Sequence, residues 1–388
     1  MYLNRRIQKV APSATLAITA QAKAMRAQGT DVLNLAGGEP DFDTPDFIKK
    51  AAQAALDKGL TKYTPTAGHP KLREAAAGWL KSEIGVDYTS KEVIINTGAK
   101  QSLYNALQVI CEPGDEVLIP SPYWVSYPEM ATLAGAKPVF VETTAADGFR
   151  LNPQAVEQAL TPKSRVLILN SPSNPTGAMI SKENLQTLAQ LAESKKLTII
   201  SDEIYSRLTY GQKHVSIASL SSTARNQTLV VNGVSKSYSM TGWRIGFCAG
   251  PEETIKAMSR LQDHATSCAS SISQQAAIAA LTGDQGCVET MRKTFESRRA
   301  LLTSGLNKIE GLTTIEPDGA FYCFMGVEAL GLTAADFAKR LLEEKHVAAI
   351  PGEGFGTDKY LRLSFSTSDE ALKDGIQRIG ELVGEIKG

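Results

Sequence analysis

The chain has 388 residues, 43% of them hydrophobic and 21% charged, a composition that supports a large buried core and leaves room for two domains. Lysine plus arginine and aspartate plus glutamate each total 41, so the formal net charge is zero and the balance argues against a nucleic-acid or other polyanion surface. No apolar stretch is long enough to span a bilayer, the first ten residues lack a secretory core, and five scattered cysteines have no metal-ligand spacing, which together describe a cytoplasmic protein with reduced thiols and no metal site.

An N-terminal arm leads into Pro12-Ser13-Ala14-Thr15, where Ser13 or Thr15 can cap a helix over Leu16 to Gln28 that Gly29 closes. Val32 to Leu35 reads as a short strand. The turn Gly37-Gly38-Glu39-Pro40-Asp41-Phe42 follows, its paired glycines permitting unusual backbone angles or the close approach of a ligand. After a helix from Pro45 to Lys58, the segment Lys62 to Gly68 is too polar and too rich in proline and glycine to be core, and it exposes Tyr63.

From Leu72 an α/β rhythm begins, with apolar strand runs at Val93–Asn96, Glu116–Ile119, Pro138–Val141, Val166–Leu169, Leu197–Ile200 and Thr228–Val231. In open α/β sheets ligands bind outside the C-terminal strand ends, so the residues that follow each run carry the interest. After the first run, Gly98-Ala99-Lys100 opens a helix whose free N–H groups and lysine suit a phosphate. Trp124 offers a face for a flat ring, or fills core. Asn174, in the loop Asn170 to Gly177, is a ligand group or a turn residue. Asp202, in Ser201-Asp202-Glu203-Ile204-Tyr205, either meets a buried cation or caps a helix. Lys236 stands among Ser235, Ser237 and Ser239, with Arg244 eight positions on, the ingredients of a Schiff-base amine beside a phosphate anchor.

Beyond this rhythm, Ile255 to Leu281 and Val288 to Ile309 read as two long helices, the second with Arg298 and Arg299 on a solvated face. Strands at Gly319–Phe324 and Tyr360–Phe365, with a helix Ala334 to Glu344 between them, make an α+β pattern distinct from the preceding rhythm. Pro351 to Gly356 lacks dinucleotide-binding spacing and reads as a loop.

Taken in order, Gly-Ala-Lys after a strand, the Asn-Pro-Thr-Gly loop at 174–177, Ser-Asp-Glu-Ile-Tyr at 201–205 and Ser-Lys with its arginine resemble the fold type I, class I pyridoxal-phosphate aminotransferases. Gly-Gly-Glu-Pro-Asp-Phe and Met-Thr-Gly-Trp-Arg-Ile-Gly are similar to the bacterial aspartate aminotransferase subgroup. The resemblance implies a large cofactor-binding domain, with a mostly parallel sheet flanked by helices, over residues 46–290. A smaller α+β domain would combine part of the arm segment 1–45 with residues 291–388. It implies pyridoxal 5'-phosphate bound as a Schiff base on Lys236, its ring nitrogen paired with Asp202 and its phenolic oxygen with Asn174 and Tyr205. Trp124 would stack on the ring. Ala99, Lys100, Ser235, Arg244 and Tyr63 from a second subunit would hold the phosphate, which makes the expected protein a homodimer. Arg362, Gly38 and Asn174 would take the substrate α-carboxylate, and Lys100 with Ser13 and Thr15 the distal one. The implied activity is ping-pong transamination between L-aspartate and 2-oxoglutarate. Gly233 departs from relatives with a phosphate-touching serine there, and Ala11-Pro12 from those that accept prephenate. An aromatic or kynurenine aminotransferase, a carbon–sulfur lyase, and a ligand sensor stay open as alternatives.

Overall fold

A computed structural model describes residues 2–12 and 14–388. Its strands are β1 Leu33–Asn34, β2 Val93–Asn96, β3 Glu116–Ser121, β4 Lys137–Glu142, β5 Ser164–Asn170, β6 Thr198–Asp202, β7 Thr228–Gly233, β8 Gly246–Ala249, β9 Thr313–Ile315, β10 Tyr322–Gly326, β11 Val347–Ala348, β12 Ile350–Pro351 and β13 Tyr360–Ser364. The helices are α1 Ala14–Ala27, α2 Asp46–Asp57, α3 Pro70–Ile84, α4 Ala99–Ile110, α5 Ser126–Leu133, α6 Pro153–Ala159, α7 Lys182–Lys195, α8 Ser222–Gln227, α9 Glu252–Asp263, α10 Ser271–Thr282, α11 Gly286–Leu306, α12 Ala334–Lys345 and α13 Asp369–Lys387.

A seven-stranded sheet in the order β2-β8-β7-β6-β5-β3-β4 forms the centre. Its strands pair in parallel except at β8, which runs antiparallel to both neighbours. Helices cover both faces, so inner strands such as Val166–Leu169 and Leu229–Val231 are buried on both sides and read as unbroken apolar runs rather than alternating ones. A second sheet, β12-β13-β10-β9, is antiparallel and packs a separate apolar core with α11, α12 and α13 that includes Phe295, Phe321, Phe337 and Phe365. Leu33 and Asn34 of β1 pair in parallel with Val347 and Ala348, so the segment after the first helix joins the C-terminal part of the chain.

Two sequence expectations fail here. The helix expected over Ile255 to Leu281 is broken: α9 ends at Asp263, the N–H groups of Ala265, Thr266 and Ser267 converge on the Gln262 carbonyl, and Ser267 takes a positive φ of 59°. Ser270 then caps α10 by accepting from the Ser273 N–H at 3.3 Å. Nor do Arg298 and Arg299 lie on a solvated face. Arg298 is 8% exposed and binds both Asp41 oxygens at 2.9 Å and Asp369 at 3.2 Å, while Arg299 pairs with Glu316 at 3.1 Å and covers the Tyr210 ring. Pro351 to Gly356, read as a loop, contains a 3-10 turn over Gly352–Phe355. Of the cysteines, Cys111, Cys248 and Cys323 are buried, Cys268 and Cys287 half-buried, and all are free thiols.

Candidate active site

The parallel strands end together on one edge of the central sheet, and their C-terminal residues open a cleft of about 480 Å³. Lys100 follows β2, Trp124 follows β3, Asn174 follows β5, Asp202 ends β6 and Lys236 follows β7. Arg244 reaches the same edge for a different reason. Because β8 runs antiparallel to β7, the residue just before β8 returns to the edge at which β7 ends. From the second sheet come Tyr322 and Arg362, and from the N-terminal part Thr15, Ala36 and Gly38.

At the floor, Lys236 Nζ donates to the Gly38 carbonyl at 2.6 Å. Burial lowers its pKa from 10.5 to about 8, against the opposing pull of the Glu39 carboxylate, which Thr241 holds by donating to Glu39 Oε2 at 2.7 Å. Nearby, Asp202 is 4% exposed, and burial raises its carboxyl from 3.8 to about 6. Its donors are the Tyr127 hydroxyl at 2.8 Å and the Ile204 N–H at 3.3 Å, both neutral, and no cation pairs with it among the described residues. Such a carboxylate is costly to keep ionised unless a positive group arrives.

The end of β2 supplies an anion site. Gly98, at φ +81°, precedes α4, and no side chain caps the first turn, so N–H groups face outward at the positive end of the helix dipole. A Cβ on Gly98 would stand 2.4 Å from an Arg244 guanidinium nitrogen, and one on Gly246 would stand 2.2 Å from the Ala99 nitrogen, so these glycines let arginine and backbone approach the same point. Arg244 is held there by the Thr241 carbonyl at 2.9 Å. Ser235 is buried beside it. Lys100 extends over the Trp124 ring at 4.7 Å, and desolvation and the Arg244 charge lower its pKa. At Gly233 a Cβ would stand 2.9 Å from the Gly246 Cα, which accounts for the lack of a serine there.

Opposite, Arg362 is 3% exposed in the middle of β13, with its guanidinium above the Tyr322 ring at 4.4 Å. It donates to Asn174 Oδ1 and to the Ala36 carbonyl, both at 3.0 Å, and its buried Nε finds no acceptor among the described residues. A guanidinium with spare donors in a cleft is suited to a carboxylate. Tyr205 shares a 2.9 Å hydrogen bond with Tyr322, and burial holds its phenol well above the ordinary range.

The chain matches the family model "Aminotransferase class I and II" over residues 30–379. The chain belongs to this family. It is 49% identical to an aspartate aminotransferase of Geobacillus stearothermophilus over 98% of each chain. It is 44% identical to an aspartate/prephenate aminotransferase of Thermus thermophilus over 98% of this chain and 99% of that one. A Thermus thermophilus aspartate aminotransferase structure with maleate superposes with a TM-score of 0.95 at 44% identity, over 98% of this chain and 100% of the other.

Class I and II aminotransferases work with pyridoxal 5'-phosphate, and three features of the cleft fit it: a buried carboxylate whose hydrogen-bond donors are neutral, an amine with lowered pKa, and an uncapped helix start joined by an arginine. Of the residues singled out in the sequence, Gly38, Ala99, Lys100, Trp124, Asn174, Asp202, Tyr205, Ser235, Lys236, Arg244, Arg362 and Thr15 line this one cleft of the aminotransferase. Tyr63 is not among them; it is 90% exposed and does not line this cleft. Ser13 lies outside the described residues. Sequence reading missed Tyr127, which holds Asp202, and Tyr322, which holds Tyr205. Tyr127 lies three residues beyond Trp124 at the start of α5, a helical spacing that was available as a signal. Tyr322 carried no such signal, since its partner is 117 residues away.

Proposed function

We propose that this aminotransferase exchanges an amino group reversibly between L-aspartate and 2-oxoglutarate, giving oxaloacetate and L-glutamate in a ping-pong cycle. The observation that carries the reading is the buried Asp202 carboxylate, hydrogen-bonded only to neutral donors among the described residues, facing the same cleft as a lysine amine of lowered pKa and an arginine with an unused donor. The names of the similar enzymes support the choice of aspartate.

When bound, pyridoxal 5'-phosphate supplies an aldehyde that captures amines and a ring that draws electrons from the bonds at the substrate Cα. The chain's own groups do the rest. Lys236 Nζ, whose pKa burial lowers to about 8 and so brings within reach of its uncharged form, takes the proton from the substrate Cα. Asp202, steadied by Tyr127, would offer a negative charge to the cofactor's ring nitrogen. Asn174 and Tyr205 would hold its phenolic oxygen, and Trp124 would stack on the ring. Ala99 and Lys100 at the start of α4, with Ser235 and Arg244, would hold the phosphate. Arg362 grips the α-carboxylate as a fork and so fixes the Cα–H direction, with Gly38 and Asn174 at the same end. Lys100, Thr15 and Ser13 take the distal carboxylate.

The working unit in this reading is a cytoplasmic homodimer in which the exposed Tyr63 completes the phosphate site of a second copy. Residues 46–290 form the large domain; part of 1–45 and 291–388 form a small one that closes over bound substrate and excludes water. Addition of L-aspartate, without keto acid, to the cofactor-loaded protein is expected to discharge its visible absorbance and release one oxaloacetate per site. A chromophore that ignores aspartate but responds to phenylalanine or kynurenine moves the substrate assignment to aromatic acids. Absence of any chromophore at saturating pyridoxal phosphate ends the reading.

A further inference from the structure

Gln262, in the last turn of α9, is fully buried, and its side-chain amide uses every hydrogen-bonding position it has. Oε1 accepts from Asn96 Nδ2 at 2.6 Å and Asn105 Nδ2 at 3.2 Å, while Nε2 donates to the carbonyls of Thr66 at 2.9 Å and Ile95 at 3.0 Å. One half of this network braces the anion site. Asn96 ends β2 and accepts from Ser102 Oγ at 2.7 Å, so Gln262, Asn96, Ser102 and Asn105 tie the strand to the helix whose first turn faces the phosphate position. The Gln262 backbone adds to the brace. Its carbonyl gathers the turn containing Thr266, whose Oγ1 accepts from Gln101 Nε2 at 2.8 Å, and Gln101 Oε1 in turn receives the Thr97 N–H at 2.6 Å.

The other half of the network holds a segment that does not face this cleft. Thr66 belongs to the stretch that carries Tyr63, and the rest of that stretch is pinned by a second buried amide, Gln274, which donates to Thr64 Oγ1 at 2.9 Å and accepts from the His69 N–H at 2.7 Å. The exposed tyrosine thus stands on a segment anchored by two buried amides.

We infer that Gln262 is a positioning residue for two cofactor sites at once: the phosphate cradle of its own chain, through Asn96 and Asn105, and the cradle of a second copy, through Thr66 and the presentation of Tyr63. The inference rests on the homodimer reading given above. A leucine or methionine would fill the same volume without polar atoms to satisfy, so the amide is there to bond four groups in fixed relation.

Hybrid dimers isolate the second role. One chain carries Lys236→Ala together with Gln262→Met and cannot form the chromophore; the other is wild type, so its single competent site has its own Gln262 intact and receives Tyr63 from the altered chain. The pyridoxal phosphate dissociation constant of that site, read from its visible absorbance, is expected to rise roughly tenfold over a hybrid carrying Lys236→Ala alone. A third hybrid with Lys236→Ala and Tyr63→Phe in the altered chain should show a rise of similar size. If Tyr63→Phe weakens the site and Gln262→Met in the neighbouring chain leaves it untouched, the inference is overturned and the dimer reading survives. If Tyr63→Phe itself has no effect, both fall. Should the methionine chain fail to assemble, Gln262→Glu is read in the same hybrid, since it keeps an acceptor toward Asn96 and Asn105 and removes the donors toward Thr66 and Ile95.

Discussion

On one wall of the cleft, Asp202, Lys236, Ala99 and Arg244 leave neighbouring strands of a single sheet; on the other, Arg362 meets Asn174 and Ala36 across sequence separations of 188 and 326 residues. The first wall is fixed by backbone pairing within one sheet. The second exists only while a separate antiparallel sheet stays packed against the N-terminal segment and the loop after β5. In the proposed reading, cofactor chemistry rests on the first wall and substrate selection on the second.

Substitutions on each side sharpen that division. The largest effect is expected on the sheet wall: Asp202→Asn keeps the shape, removes the charge, and should lower kcat by about 10²–10³-fold, measured by single-turnover discharge with aspartate. The same change tests the burial cost. Asp202 has its folded pKa raised to about 6 from 3.8, so the folded chain binds this proton more tightly than the unfolded one, and the carboxylate destabilises the cofactor-free fold above about pH 6. Cofactor-free Asp202→Asn should accordingly melt higher than wild type at about pH 7.5, with the difference closing as pH falls toward about 4; an unchanged difference across that window would count against a strained carboxylate.

On the assembled wall, Arg362→Lys replaces a fork by a point charge and should reduce kcat/KM by about 10²-fold for every amino acid while leaving the pyridoxal phosphate dissociation constant alone. A loss of cofactor affinity there would join the two walls into one unit. Lys100 sits at their junction, beside both Trp124 and Arg244. Truncation to alanine is expected to raise KM for aspartate about tenfold more than for phenylalanine, and equal changes would assign Lys100 to the phosphate alone.

The sheet wall was legible in the sequence because parallel strands covered on both faces must be apolar throughout, so a polar residue at the end of such a run stands out. Asp202, Lys236 and Asn174, all of which line the cleft, stood out in that way. Arg362 was not found by pattern: in a short strand it looks like any alternating charge, and only resemblance to a family singled it out. The expected single helix from Ile255 to Leu281 failed because periodicity does not register where backbone N–H groups turn inward onto one carbonyl, as they do at Gln262. Arg298 was misread because its partners, Asp41 and Asp369, lie 257 and 71 residues away. The helices α3, α7 and α13 were passed over although His69, Ser181 and Ser368 cap them with side-chain acceptors, local signals that were present and unused.

The bare positions at Gly98 and Gly246 bear on how this chain can be diversified. A methyl group at either point would occupy space already taken by the Arg244 guanidinium or the Ala99 backbone. Replacing glycine by alanine is a common route to a stiffer, more heat-resistant protein, and here it would displace the groups at the anion site instead. A substitution map of the chain should therefore show low tolerance at these two residues with no functional group at all, and a library that spares only the charged positions would lose the phosphate site through the smallest change it contains.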